Sequence, residues 1–330
     1  MTVDLSIACW HRDLSHALQT GEVELEGIDT TVLSEYPPKR HRRFFERGDY
    51  DVAEVSLASY LSARKDRERY PFTAIPVFPA KRFPHSFFYK RTDTDIQKPA
   101  DLEGKKVGIQ SWQTTRDVWM RGIAREYYDL DLTKVHWYQR KENDVPLSIP
   151  DRYDIQPLPE KPESVDDPDT ITEVFFDGEL DAVIEPAGRL FWDVVESDVA
   201  ELFFDDPLTE ERDYFRETGI HPVLHVIALR EEIVEEHPWV AVNLFDGFCE
   251  ARDVCLDGLK SPARNTAITW NHLHLREQRE VLGPDAWEYG LTDRNRREVS
   301  KFIEYADNQG LIPRPYDVDE LFVDCSVARD

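Results

Sequence analysis

Residues Asp49–Leu61 read DYDVAEVSLASYL. Val52–Val55 has the apolar character of a short buried strand, interrupted by Glu54. Ser56-Leu57-Ala58-Ser59 follows as a small, hydroxyl-bearing turn at which a helix begins. Such a junction offers an anion backbone N–H groups, two hydroxyls and the positive end of a helix dipole. A second junction comes later. KKVGIQ (Lys105–Gln110) reads as a buried strand and Ser111–Thr115 opens the next helix. Thr114 and Asp117 there have capping-box spacing. Two strand-to-helix anion sites in one α/β chain point to a cleft for a small acid.

Working outward, the strand Leu5–Trp10 leads into a helix at about His11–Thr20, and a second strand spans Ile28–Leu33. A basic helix, Pro38–Gly48, precedes the Asp51–Val55 strand. Phe72–Pro79 and Ser86–Lys90 are strand-like. Pro99–Leu102 opens a new unit with the Lys105–Gln110 strand, a helix to Tyr128 and the strand Val135–Tyr138. Residues 140–169 read as an exposed acidic loop with one short strand. Ile171–Asp177 is helical, Leu180–Pro186 and His221–Arg230 are strands, and the chain beyond Val234 is mostly helical. This alternation predicts a mainly parallel α/β architecture. The order predicts two lobes, 1–91 with 222–330 and 92–221, so that lobe one is discontinuous. Two crossing segments make a hinge, and the ligand is expected in the interlobe cleft.

The 330 residues suffice for two lobes, and a hydrophobic content of 41% supports a folded core. The net charge is −26, with 28 arginines against 12 lysines. An acidic, lysine-poor surface suits concentrated salt, where screening mutes self-repulsion, so a halophilic setting is expected. The same charge argues against nucleic acid or an anionic membrane as partner. No stretch reaches the length of a membrane-spanning helix. Met1–Trp10 runs directly into a strand pattern with no basic head, so no export signal is read and a cytoplasmic location is expected. Cys9, Cys249, Cys255 and Cys325 lack metal-ligand spacing and are expected to be reduced thiols.

Several segments resemble one family throughout the chain. They are Gly48–Leu61, Ile75–Phe88 (IPVFPAKRFPHSFF), Pro99–Gln110, Gln113-Thr114, Trp119–Ile123, Asp177–Ile184 (DGELDAVI), Tyr214–Pro222 (YFRETGIHP), His237–Ala241 and Trp287–Gly290 (WEYG). The chain resembles the 4,5-dihydroxyphthalate decarboxylases, which are built on the two-lobed fold of type 2 periplasmic binding proteins. PADLEGKKVG alone has little specificity; the IPVFP…R..HS pattern and the VSL.SYL turn have more. The chain departs from the family in three places. The strand after DGELDA ends Glu185-Pro186-Ala187, with Arg189 displaced, where Thr-Pro-Arg is usual. His221 replaces an aromatic residue, and Arg140–Val145 replaces a glycine-rich stretch. A changed substrate is therefore an open alternative.

The resemblance implies a mixed-sheet α/β fold with a helical C-terminal part. It also implies a carboxy-lyase that takes CO2 from a hydroxylated aromatic dicarboxylate without a cofactor or metal. The competing expectation is a non-enzymatic small-carboxylate binding protein serving a transporter or sensor. Arg82 is expected to fork onto a carboxylate and His85 to shuttle the proton. Glu54, alone in a buried strand, needs a partner or a raised pKa and is the third catalytic candidate. Ser56, Ser59, Gln113, Thr114, Arg116, Arg216 and Thr218 are the substrate-binding candidates. Arg121 and Trp119 are as well explained by packing. His221 and His225 are four apart in a β-like run, which puts both on one face and favours half-buried histidines over metal ligands. The partner is a small aromatic carboxylate, and the C-terminal helices are a candidate surface for a homo-oligomer.

Overall fold

Val52–Ser56 is a strand with every residue buried, because it sits inside a five-stranded sheet. The structure is a computed structural model and describes residues 2–158, 170–185, 190–261 and 266–325. In chain order the strands of the described residues are β1 (Val3–Cys9), β2 (Ile28–Ser34), β3 (Val52–Ser56), β4 (Phe72–Lys81) and β5 (Phe88–Arg91). They continue with β6 (Lys106–Ile109), β7 (His136–Gln139), β8 (Asp154–Pro157), β9 (Ala182–Ile184), β10 (Ala200–Leu202) and β11 (Val223–Arg230). They form two sheets, ordered β2-β1-β3-β11-β4 and β10-β5-β9-β6-β7-β8.

The chain divides into two units. The first takes Met1–Lys81, Thr218–Lys301 and Tyr316–Asp330, and the second Arg82–Glu217 and Phe302–Pro315. The expected boundaries were 91/92 and 221/222. Here β5 hydrogen-bonds to β9 and β10, which carries the segment from Arg82 onward into the second unit. Residues 302–315 also go to the second unit, because their side chains pack on the helix Thr115–Tyr127. Trp119 meets Phe302 and Tyr305 at ring separations of 5.2 and 5.5 Å.

In the first unit β1 runs parallel to β2 and β3, while β11 runs antiparallel to β3 and β4. The sheet is therefore mixed rather than mainly parallel. β11 begins at Val223, so His221 precedes the strand, and the register shifts between Val223 and His225. The expectation that both histidines share one strand face is corrected on that ground. The expected helix at Pro38–Gly48 is a short α-helix, Pro37–Arg42, continued by a π turn, Arg43–Arg47. The helix Pro238–Lys260 approaches so closely that a Cβ on Gly247 would lie 2.0 Å from Leu25.

The second unit has a parallel core, β9-β6-β7-β8, with β5 antiparallel to β9 and β10, beyond it, antiparallel to β5. Val107, Ile109, Trp137, Val183 and Ile184 are buried, as parallel strands covered on both faces require. The buried Arg121 donates from Nε to Gln309 Oε1 at 2.8 Å and from Nη2 to the Trp112 carbonyl at 2.6 Å. Its guanidinium also lies 3.9 Å from the Trp112 ring centre. Gln309 in turn accepts the Trp112 indole N–H on its carbonyl at 3.0 Å. Arg121 and Trp119 are therefore packing residues. No helix among the described residues is long and apolar enough to cross a membrane, and all four cysteines are free thiols.

Candidate functional site

In the second unit β5 starts at Phe88, and the chain reaches it through a tight 3-10 turn, His85–Phe87. The turn is pinned by Ser86, whose amide and hydroxyl donate to Glu211 Oε1 at 3.0 and 2.6 Å. Burial raises the Glu211 pKa, and these two bonds oppose the rise. His85 is fully buried, and neither ring nitrogen has a hydrogen-bond partner among the described residues. The rings of Phe204, Tyr214 and Tyr128 surround it at 5.4, 5.6 and 6.5 Å. Burial alone brings its pKa down to about 4. Two unsatisfied nitrogens in an aromatic cage are costly to maintain and mark a group held for use.

Beside the turn, two guanidinium groups share one ring. Arg116 lies 4.0 Å and Arg82 5.3 Å from the centre of Phe87. Arg82 is exposed and Arg116 buried. Burial, and then the like charge of Arg82, lowers the Arg116 pKa to about 10. An anion received by this pair relieves their repulsion.

Three buried polar residues follow directly on β6, β7 and β9. Arg140 Nε donates to Gln110 Oε1 at 2.6 Å, and Gln110 Nε2 donates to Glu185 Oε1 at 3.1 Å. The carboxyl ends of parallel strands are where α/β sheets commonly place ligands. Sequence reasoning weighed Arg140 and Glu185 only as departures from a pattern and missed Gln110. The available signal was a polar residue at the end of each apolar strand. Asp117 was also missed. One of its oxygens accepts the Gln110 amide at 3.0 Å, and the other is buried with no hydrogen-bond partner among the described residues. Burial pushes its pKa up to about 7 against the pull of Arg121.

That contact also corrects the expected capping box. Thr114 is the N-cap residue but makes no side-chain cap bond. Its hydroxyl lies 3.0 Å from Ser111 Oγ, and the Asp117 carboxyl is occupied by Gln110. The Gln113 side chain is a brace: it donates to the Val145 carbonyl at 3.1 Å and accepts the Val145 amide at 3.0 Å. Arg216 pairs with Asp213 at 2.6 Å on an exposed helix face. Thr218 Oγ1 accepts the Ile220 amide at 3.1 Å. Pro186, Ala187 and Arg189 lie outside the described residues.

In the first unit, Glu54 is fully buried yet well partnered. Its Oε1 receives Arg12 Nη2 at 2.6 Å and His225 Nδ1 at 2.5 Å, and its Oε2 receives the Trp10 amide at 3.0 Å. Arg40 Nη2 stands 3.5 Å from Oε1, and Arg40 Nε donates to the Glu54 carbonyl at 2.6 Å. Burial pushes the Glu54 pKa up, but Arg12, Arg40 and His225 outweigh it and hold it well below the usual carboxylate range. Ser56 caps the helix Leu57–Ala63 by accepting the Ser59 amide at 3.4 Å. The helix starts at once, with no intervening turn. His221 stacks edge-on to Trp287 at 5.4 Å and donates its amide to Glu298 at 3.1 Å. Glu298 also holds the buried Lys81 at 2.7 Å. No group of three or more potential metal ligands occurs among the described residues.

The structure thus brings Arg82, His85 and Arg116 together in the second unit. Glu54, Ser56 and Ser59 belong to the first.

No protein-family model matches the chain. Among solved structures, the periplasmic aliphatic sulphonate binding protein SsuA from Escherichia coli is similar, with a TM-score of 0.56 and 13% identity. The match covers 98% of each chain. At that identity the likeness shows the fold, which is the expected periplasmic-binding-protein fold. The 4,5-dihydroxyphthalate decarboxylase of Comamonas testosteroni is 32% identical over 327 residues, covering 97% of this chain and 96% of the relative. The enzyme of that name from Pseudomonas putida is 32% identical over 221 residues, covering 65% and 82%. With a relative of that identity spanning nearly its whole length, the chain belongs to the 4,5-dihydroxyphthalate decarboxylase family.

Proposed function

We propose that the chain is a carboxy-lyase that converts 4,5-dihydroxyphthalate to 3,4-dihydroxybenzoate (protocatechuate) and CO2. The observation that carries this reading is the kinship over 97% of the chain with the Comamonas testosteroni decarboxylase. The chemistry of the second unit agrees with it. Arg82 and Arg116 form a cationic pair suited to the carboxylate that is retained. His85 delivers a proton to the ring carbon that bears the leaving carboxylate. The hydroxyl para to that carbon gives up its proton as its oxygen becomes a ketone. CO2 then departs, its bonding pair returns to the ring, and the ketone regains a proton as aromaticity is restored. One C–C bond breaks, one C–H bond forms and one proton is consumed.

Desolvation favours this sequence, because charge leaves the departing carboxylate as CO2 forms. In the protein as it stands, burial keeps His85 neutral at pH 7. A bound carboxylate beside the ring raises its pKa toward working pH. Glu54, saturated by Arg12, Arg40 and His225, reads as a positioning group rather than a proton carrier.

The finer expectations belong to the same proposal: a part in aromatic-acid degradation, a cytoplasmic site of action and a fold adapted to salt. Incubation with 4,5-dihydroxyphthalate at high and low salt, with protocatechuate and CO2 as readouts, tests the reading. Tight binding with no product overturns it in favour of a binding protein. Equal activity and melting temperature in dilute buffer overturn the salt adaptation.

A further inference from the structure

We propose that Arg12 is a carboxylate ligand of the first unit, and that Glu54 and His225 are the residues that position it. The assignment deepens the decarboxylase reading and rests on it.

Arg12 stands just past the carboxyl end of β1, the kind of position where α/β sheets offer side chains to ligands. Only part of its guanidinium is used. Nε lies 2.7 Å and Nη2 2.6 Å from Glu54 Oε1, and Nη2 is 3.2 Å from His225 Nδ1. Nη1 has no hydrogen-bond partner among the described residues, and the side chain is 23% exposed against 1% for Glu54. Arg12 is thus held rigidly along one edge while another faces outward. A preorganised fork of this kind suits a carboxylate.

Charge points the same way. The cluster holds two guanidinium groups, Arg12 and Arg40, against one carboxylate, Glu54. Glu35, the other carboxylate acting on Arg40, is already engaged by Lys39 at 3.0 Å and Arg43 at 2.7 Å. Burial pushes the Cys9 thiol up to about 12 and the His225 pKa down to about 3, so neither contributes charge at pH 7. Among the described residues the cluster thus holds one more cation than anion, in a chain of net charge −26. A single bound anion balances it. A merely structural Arg12 would leave the surplus charge and the outward-facing edge of the guanidinium unexplained.

The test compares 4,5-dihydroxyphthalate with its uncharged dimethyl ester, using the partly buried Trp10 as a fluorescence reporter beside direct calorimetry. The variants are Arg12→Lys and the double change Arg12→Gln with Glu54→Gln, which removes both charges of the pair; the ester arm reads any damage from leaving the buried Arg40 without its carboxylate. The exposed Arg276→Gln is the control. Acid binding should weaken about 100-fold in the double variant and about 10-fold in Arg12→Lys, with ester binding little changed. The preference for acid over ester should narrow by the same factors, the remainder being due to Arg82 and Arg116, whereas structural damage would weaken both ligands together. A preference kept in both variants, or lost equally for acid and ester, overturns the assignment while leaving the decarboxylase reading intact. A wild-type protein that neither binds nor turns over the acid overturns that reading and this assignment with it.

Discussion

A single oxygen of Glu211 receives both the amide and the hydroxyl of Ser86, at 3.0 and 2.6 Å. That double contact fixes the turn carrying His85. Because the bonds run to a carboxylate, removing the hydroxyl with Ser86→Ala should cost about 1.5–3 kcal/mol of stability. It should also lower kcat more than it raises KM, since a displaced imidazole affects proton delivery before it affects binding. Chemical denaturation and steady-state kinetics check the two effects separately.

His85→Gln should reduce turnover by at least about 100-fold while ligand binding persists. Unchanged turnover would remove His85 from the mechanism. The same variant has a pH signature. His85 takes up a proton near 6.5 in the unfolded chain but only near pH 4 in the fold. Between those values the unfolded state binds more protons, so stability falls as pH drops through the window. His85 contributes up to about 3 kcal/mol to that loss at 1.36 kcal/mol per pH unit. Unfolding free energies of His85→Gln should show a shallower decline between pH 6.5 and 4.

Asp117 has the opposite sign. Its pKa rises from 3.8 to about 7 on folding, so the folded state binds more protons across that interval. Stability should fall as pH rises through the interval and level off above pH 7. Asp117→Asn keeps an acceptor for the Gln110 amide and abolishes the titration. It should melt higher than the wild type at pH 8, with the advantage shrinking toward pH 4.

Gly122 has no room for a side chain. A Cβ there would meet the Tyr305 ring at 2.2 Å, and the Tyr305 hydroxyl is itself tied to Glu126 at 2.5 Å. Gly122→Ala should therefore cost about 1–3 kcal/mol or more by overpacking, despite alanine's better helix propensity. Thermal unfolding reads the difference.

Much of the fold was legible because buried parallel strands announce themselves as apolar runs. Lys105–Gln110 and Leu180–Pro186 read as strands for that reason, and the described residues hold strands at Lys106–Ile109 and Ala182–Ile184. β5 was placed two residues early, because the aromatic run from Ser86 to Phe88 looks extended whether it is a strand or a 3-10 turn. The partners of Glu54 could not be read: Arg12, Arg40 and His225 are brought to it by strand order and a register shift, neither of which is local. The same limit hid Gln110 and Asp117. Their significance lies in burial and unsatisfied atoms, which appear only when distant segments pack. Arg82 and His85 were within reach because the turn that positions them is contiguous in the chain.

Gln309 completes the surroundings of Arg121 and Trp112 from 188 residues further along the chain than Arg121. On a ribosome adding about 5–20 residues per second, Trp112 and Arg121 wait roughly 10 to 40 s for that neighbour. During the interval a nascent polypeptide displays an indole and a guanidinium with their final partner not yet synthesised. The second unit therefore cannot complete this packing before the closing stretch of translation.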